Sequence, residues 1–249
     1  DEYITIPHPL DGEYKVQMQG TGVGGEYTLA SGYISETSSV SLDFVAHILP
    51  NQIEELKVEI NSSTPTELNV MPTDTAPPAI TIFSPANTDY LHSDRLPINA
   101  VVTDTESGVF SQEIRFDDTI INNNDQIDLF YQQLGSHVIF VSSTDNVGNL
   151  RTSSVSFRVI ATPSSTISDI DRAYQLGWIN DSEIHDALIA KIQHLIKWTQ
   201  KIKTNIVVQK IDKILSDQFL KFLSTHLNKQ INLQAYNILK EDIGWLINN

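Results

Sequence analysis

Apolar residues recur at every second position through roughly the first 160 residues and at three- and four-residue spacings after that. Tyr14, Val16 and Met18 alternate with Lys15, Gln17 and Gln19, and Tyr27 and Leu29 resume the alternation after Gly20-x-Gly22-x-x-Gly25. Two strands flanking a glycine-rich joint predict a β-hairpin, because glycine supplies positive φ without steric cost. The same glycine spacing occurs in dinucleotide-binding loops, but such a loop must open a helix, and no 3.6-residue pattern follows it here. Further alternating segments, Val40-x-Leu42-x-Phe44, Leu56-x-Val58-x-Ile60 and Leu68-x-Val70, predict that residues 1–71 form a small β-sandwich domain.

Prolines punctuate Met71 to Ala79, so residues 72–79 are expected to be a stiff extended linker. Seven candidate strands follow: Ile80–Phe83, Ile98–Thr103, Gln112–Phe116, one near Ile120, Ile127–Tyr131, Val138–Ser142 and Ser154–Val159. Their rhythm, with turn residues every eight to twelve positions, is that of an immunoglobulin-like sandwich over residues 80–162. The period then becomes helical. A first helix is expected over Ser165–Leu176, stopped by Gly177. Asn180 and Glu183 read as the capping box of a second, with Ile184, Ala187, Leu188, Leu195 and Ile202 on its apolar face. Val208, Ile211, Leu215, Phe219 and Phe222 stripe a third, and Leu233, Tyr236, Ile243 and Leu246 a fourth, predicting an α-helical bundle over residues 163–249. The expected fold class is therefore multidomain, all-β plus all-α: two small β-sandwiches, the second Ig-like, and a C-terminal helical bundle.

Charge sharpens this division. Residues 1–75 carry 12 acidic side chains against 2 basic, residues 76–162 carry 10 against 4, and residues 163–249 carry 9 against 10. An acidic β part repels phosphate backbones, so nucleic acid is not an expected partner. No apolar run reaches the ~18 residues of a membrane helix. The chain has no cysteine, which excludes disulfides and thiolate chemistry. It starts at Asp1, which suggests a processed product or a piece of a longer protein.

The segments PPAITIFSP (Pro77–Pro85), TDTESGV (Thr103–Val109), LGSHVIFVSSTDNVGN (Leu134–Asn149) and VSFRV (Val155–Val159) resemble the Ig-like repeats of bacterial secreted and surface proteins. GWINDSEIHDALIAKI (Gly177–Ile192) and FLKFLSTHLNKQINLQAYNILKEDIGWLI (Phe219–Ile247) are similar to FIMAH-type C-terminal helical modules of secreted bacterial enzymes. Gln193–Gln218 is longer than that family's norm, and the glycine expected before the last helix is either replaced by Asn228 or absent. Residues 1–71 resemble, more loosely, the small β-domains that precede such repeats. These resemblances imply an extracellular or cell-surface location and a non-catalytic accessory role: spacer and docking domains of a secreted α/β-hydrolase or peptidase whose catalytic domain is absent from this chain. Two alternatives are a surface adhesion or self-assembling protein, and a carbohydrate-binding tail contacting polysaccharide through Tyr90 or Tyr131.

The residues themselves offer no catalytic constellation. There is no Gly-x-Ser-x-Gly nucleophile elbow and no His-Glu-x-x-His pair. His185 and His194 lie on opposite faces of one helix, and His137 enters a strand, where packing or a turn hydrogen bond explains it. Trp178, Trp198 and Trp245 fall at helical core or interface positions. Oxygen donors suited to a structural calcium ion do gather in turns: Asp104 and Glu106 in one, Asp145 and Asn149 in another. No other cofactor is expected.

Overall fold

The computed structural model describes residues 2–36, 38–61, 68–201 and 205–248, with side chains 198–201 and 205–215 outside the description. It is rich in β-strands, arranged in several small sheets, with four helices at the C-terminal end. The chain divides into two compact units. One comprises 1–81, 101–113 and 141–153; the other comprises 82–100, 114–140 and 154–249.

In the first unit, β1 (Gly12–Gln19) pairs antiparallel with β4 (Ile53–Ile60), which also pairs with β5 (Asn69–Pro72). Separately, β2 (Gly25–Ile34) and β3 (Ser39–Ile48) pair in unbroken register from Gly25↔Ile48 to Ile34↔Ser39. Leu56, Val58 and Val70 of the first sheet are buried against Tyr14, Val16 and Met18 of the same sheet and Tyr27, Leu29 and Phe44 of the second. The two sheets thus make a small sandwich, each strand sending alternate residues inward.

The expected hairpin across Gly20–Gly25 does not form, because β1 and β2 belong to different sheets. The glycines serve a close backbone approach to the β3–β4 connection. Gly20 donates to Gln52 O at 2.8 Å and accepts from Asn51 N at 2.9 Å. A Cβ on Gly20 would stand 2.0 Å from Leu49 O, and one on Gly24 (φ +73°) 2.4 Å from Ile48 O. The hairpin turn lies instead at Ser35 and Ser38, where Ser35 N donates to Ser38 O at 2.8 Å and Ser38 N to Ser35 Oγ at 3.0 Å.

The middle of the chain supplies β6 (Ala79–Ser84), β7 (Asp89–Leu91), β8 (Arg95–Pro97), β9 (Asn99–Thr103), β10 (Val109–Phe116), β11 (Thr119–Ile121), β12 (Gln126–Asp128), β13 (Gly135–Asp145) and β14 (Leu150–Ile160). Five of them form a sheet in the order β11-β10-β13-β14-β7, with β7 parallel to β14; β6–β9 and β8–β12 form two-stranded sheets. The strands β7 and β8, three residues each, are too short to show a period in the sequence. Leu129–Tyr131, expected to be part of a strand, is a 3₁₀ turn.

Four helices complete the second unit: α1 (Pro163–Gln175), α2 (Ser182–Lys201), α3 (Asn205–His226) and α4 (Leu233–Asn248). Thr162 and Ser165 cap α1 reciprocally, with Pro163 at its first position. Gly177 (φ +72°) ends it, donating to Tyr174 O at 2.9 Å while Trp178 N reaches Ala173 O at 2.9 Å. The cap of α2 is Asp181 and not the expected Asn180: its Oδ1 accepts from Glu183 N and Ile184 N at 2.9 and 3.1 Å. Asn228, before the last helix, adopts φ +59°, a conformation that asparagine tolerates. Ile170, Ile179, Leu188, Ile192, Phe219, Leu223, Leu239 and Ile243 close the bundle core around Phe130. Of the residues expected on the helix faces, Ile202 lies outside the described residues, as do the side chains of Val208, Ile211 and Leu215.

Candidate metal centre

Three aspartates converge in the first unit. Asp74 follows β5, Asp104 follows β9 and Asp145 ends β13, and each offers an oxygen within 4.8 Å of the others. Each carboxylate first organises its own turn. Asp104 Oδ1 accepts from Glu106 N at 3.1 Å and Gly108 N at 2.7 Å. Asp145 Oδ1 accepts from Val147 N and Asn149 N at 3.0 and 2.8 Å. Asp74 accepts from Ala76 N at 2.8 Å and from Ser107 N at 3.0 Å, so it ties the proline-rich joint to the β9–β10 turn. Asn149 Nδ2 adds bonds to Asp145 Oδ2 at 2.7 Å and to Asp74 O at 3.4 Å.

Backbone N–H groups alone do not balance this much negative charge. Carboxylates 4.8 Å apart or closer repel by about 3 kcal/mol or more per pair at an effective dielectric of ~20. A fourth carboxylate adds to the imbalance: Glu54 is 5% exposed, and the Tyr27 hydroxyl is directed at it. Burial pushes its carboxyl pKa up, the Tyr27 hydroxyl opposes this, and the charges of Asp145 and Asp74 push it further. Asp74 likewise raises the pKa of exposed Glu106. Ser107 Oγ and Asn146 Oδ1 are buried without a partner. The surplus consists of oxygen atoms only, the donor set that a hard cation such as Ca²⁺ takes in six- to eightfold coordination.

Of the sequence-derived candidates, Asp104 and Asp145 are brought together. Asn149 acts through its hydrogen bonds to Asp145 and Asp74, and Glu106 stands beside the cluster at the surface. Asp74 and Glu54 were missed. Glu54 had a visible signal, because it shares parity with Leu56 and Val58 and so stands on the inward face of β4. Asp74 was hidden in a stretch whose prolines read as linker.

The remaining candidates have structural partners. His137 lies between Asp117 Oδ2 and Gln133 O, both at 2.8 Å, and stacks on Phe116. His185 contacts Asp171 at 2.8 Å and Asp186 at 2.9 Å; burial lowers its pKa, but these two carboxylates prevail and raise it. Tyr90 OH accepts from Ala86 N at 2.9 Å, and its ring meets Phe157 edge-on. Tyr131 packs edge-on against Phe130 and Trp178.

No family model and no curated protein matches the chain. Among solved structures, the endo-β-1,4-mannanase of Thermotoga petrophila is similar over 35% of this chain and 21% of its own, at 13% identity and a TM-score of 0.30. The fibronectin(III)-like modules of Clostridium thermocellum CbhA are similar over 62% of this chain and 93% of theirs, at 14% identity and a TM-score of 0.30. Among the described residues, no helix is long and apolar enough to cross a membrane.

Proposed function

We propose that this chain is a non-catalytic accessory segment of an exported bacterial protein: a calcium-stiffened β spacer followed by a helical docking element. The observation that carries the reading is the convergence of Asp74, from the proline-rich joint, with Asp104 and Asp145 beside the buried carboxylate of Glu54. An ion there bonds the joint to two turns of the following β-strands and stiffens a connection that prolines alone leave hinged. Calcium sites of extracellular modules bind at about 10⁻⁴–10⁻³ M, a concentration met outside cells and not in the cytosol. The Ig-like character of residues 80–162, the FIMAH-like character of residues 163–249 and an adjoining hydrolase domain in the same polypeptide belong to this reading, on the sequence resemblances described above.

Calcium titration of the chelator-treated chain by calorimetry tests it, together with limited proteolysis of residues 72–79. One equivalent bound below about 1 mM, with protection of the joint, is expected. An absence of binding at ten times that concentration, or turnover of ester, glycoside or peptide substrates by this chain alone, overturns it.

A further inference from the structure

The second unit contains a different cluster, completely enclosed. His92, in the turn between β7 and β8, Asp169 on α1 and Asp242 on α4 are all 0% exposed. His92 Nε2 lies 3.0 Å from Gln132 O. A carbonyl only accepts, so Nε2 carries the proton, and in the neutral ring Nδ1 presents its lone pair. Nδ1 faces Asp242 Oδ1 at 2.7 Å and Asp169 Oδ2 at 3.6 Å. A lone pair and two carboxylates do not approach one another this closely without positive charge to hold them, either a proton, for which 2.7 Å is the usual length of a charge-assisted bond, or a metal ion.

The buried oxygens say what kinds of centre fit. Both oxygens of Asp169 and Oδ2 of Asp242 are buried and receive no N–H or O–H bond from another residue, and the two carboxyls stand close enough to share a proton. A single proton on Nδ1 satisfies none of these three and, with both carboxylates ionised, leaves one excess negative charge in the interior, at a cost of several kcal/mol. Burial and the charge of Asp242 push the Asp169 carboxyl pKa up, so the cluster takes either a second proton there or a cation. A divalent cation balances two carboxylates and a neutral imidazole, and it recruits these buried oxygens. The backbone carbonyl on the far ring nitrogen is the support that metal-bound histidines use to fix tautomer and ring orientation. One nitrogen and carboxylate oxygens, with no open route to solvent, match a closed structural site for a borderline cation better than a calcium cage.

We propose that His92 Nδ1, Asp169 and Asp242 hold a structural zinc-class divalent cation that joins the β7–β8 turn to helices α1 and α4. The ion enters as the chain folds, because the enclosed site admits none afterwards. The alternative filling is a pair of protons shared among the three side chains.

The full chain, refolded with and without Zn²⁺ after chelation, separates the two. One zinc per chain after exhaustive dialysis is expected by elemental analysis, with an at least tenfold weaker retention in Asp169→Asn and unchanged retention in Asp104→Asn. Refolding with Co²⁺ should give the visible absorption bands of a four-coordinate nitrogen and oxygen site. If the substituted chains fail to fold, ¹⁵N NMR of wild-type His92 decides. Only Nε2 carries a proton when zinc fills the site. Zinc content near zero in the refolded wild type, equal retention in Asp169→Asn, or a doubly protonated His92 in zinc-refolded protein overturns the proposal.

Discussion

The two carboxylate clusters differ in what already supports their charge. Asp74, Asp104 and Asp145 each accept at least two backbone N–H bonds, so each has hydrogen-bond partners with or without a cation. Asp169 and Asp242 have no such backbone donors among the described residues: Asp242 meets the His92 ring, and the two carboxyls meet each other. The first cluster therefore keeps its turns when empty, and on the proposed reading its ion is a ligand equilibrium. The second needs its countercharge, protons or a cation, in place before the surrounding core closes, which makes that countercharge a stability term.

The largest expected effect tests this contrast directly. Asp242→Ala leaves His92 and Asp169 buried without their closest partner and should cost about 3–5 kcal/mol in urea denaturation. Asp104→Ala in calcium-free buffer removes a repelling charge along with two N–H bonds and should change stability by about 1 kcal/mol or less. Equal losses in the two variants would erase the distinction.

Calcium itself comes next. At a hundredfold excess over its dissociation constant, an ion that binds only the folded chain adds about 2.7 kcal/mol. The calcium-dependent gain should disappear in Asp104→Asn, whose remaining oxygen can keep both N–H bonds, while the calcium-free stability changes little. A chelated chain that melts at the same temperature as the calcium-loaded one contradicts the reversible site.

The clusters were unequally legible in the sequence for a physical reason. Turn aspartates such as Asp104 and Asp145 advertise themselves beside Ser-Gly and Gly-Asn, because short-range backbone bonding selects those residues. His92 and Asp242 are 150 residues apart and meet only through tertiary packing. Strand pairing divides in the same way. Alternation placed Tyr14, Val16, Leu56 and Val58 on an inward face, but it says nothing about which strand lies alongside, so β1 was assigned to β2 and in fact pairs with β4. Gly20→Ala tests the corrected role of that glycine. A Cβ placed 2.0 Å from Leu49 O forces the two connections apart and should cost about 1–3 kcal/mol. A neutral result would mean that the close approach is dispensable.

Between the two extremes stands a third carboxylate that is neither enclosed nor in a turn of N–H donors. Asp128, at the end of β12, meets the guanidinium of Arg172 on α1 through both oxygens, one bond being 2.7 Å, and the same guanidinium lies 4.5 Å from the centre of the Phe130 ring. The hydrogen bond from Arg172 holds the Asp128 carboxyl below its usual range, against burial, which raises it. A depressed folded-state value contributes stability that is complete above the unfolded-state value near pH 4 and is lost as pH falls through the folded one. Arg172→Ala should cost about 2 kcal/mol at neutral pH, from the lost pair and the lost ring contact. Towards about pH 2, the gap between wild type and variant should narrow to the ring contribution, roughly half as large. Denaturant midpoints of both chains across that range measure it. A gap that stays constant with pH would assign the whole of Arg172's contribution to packing on Phe130, leaving the ion pair with none.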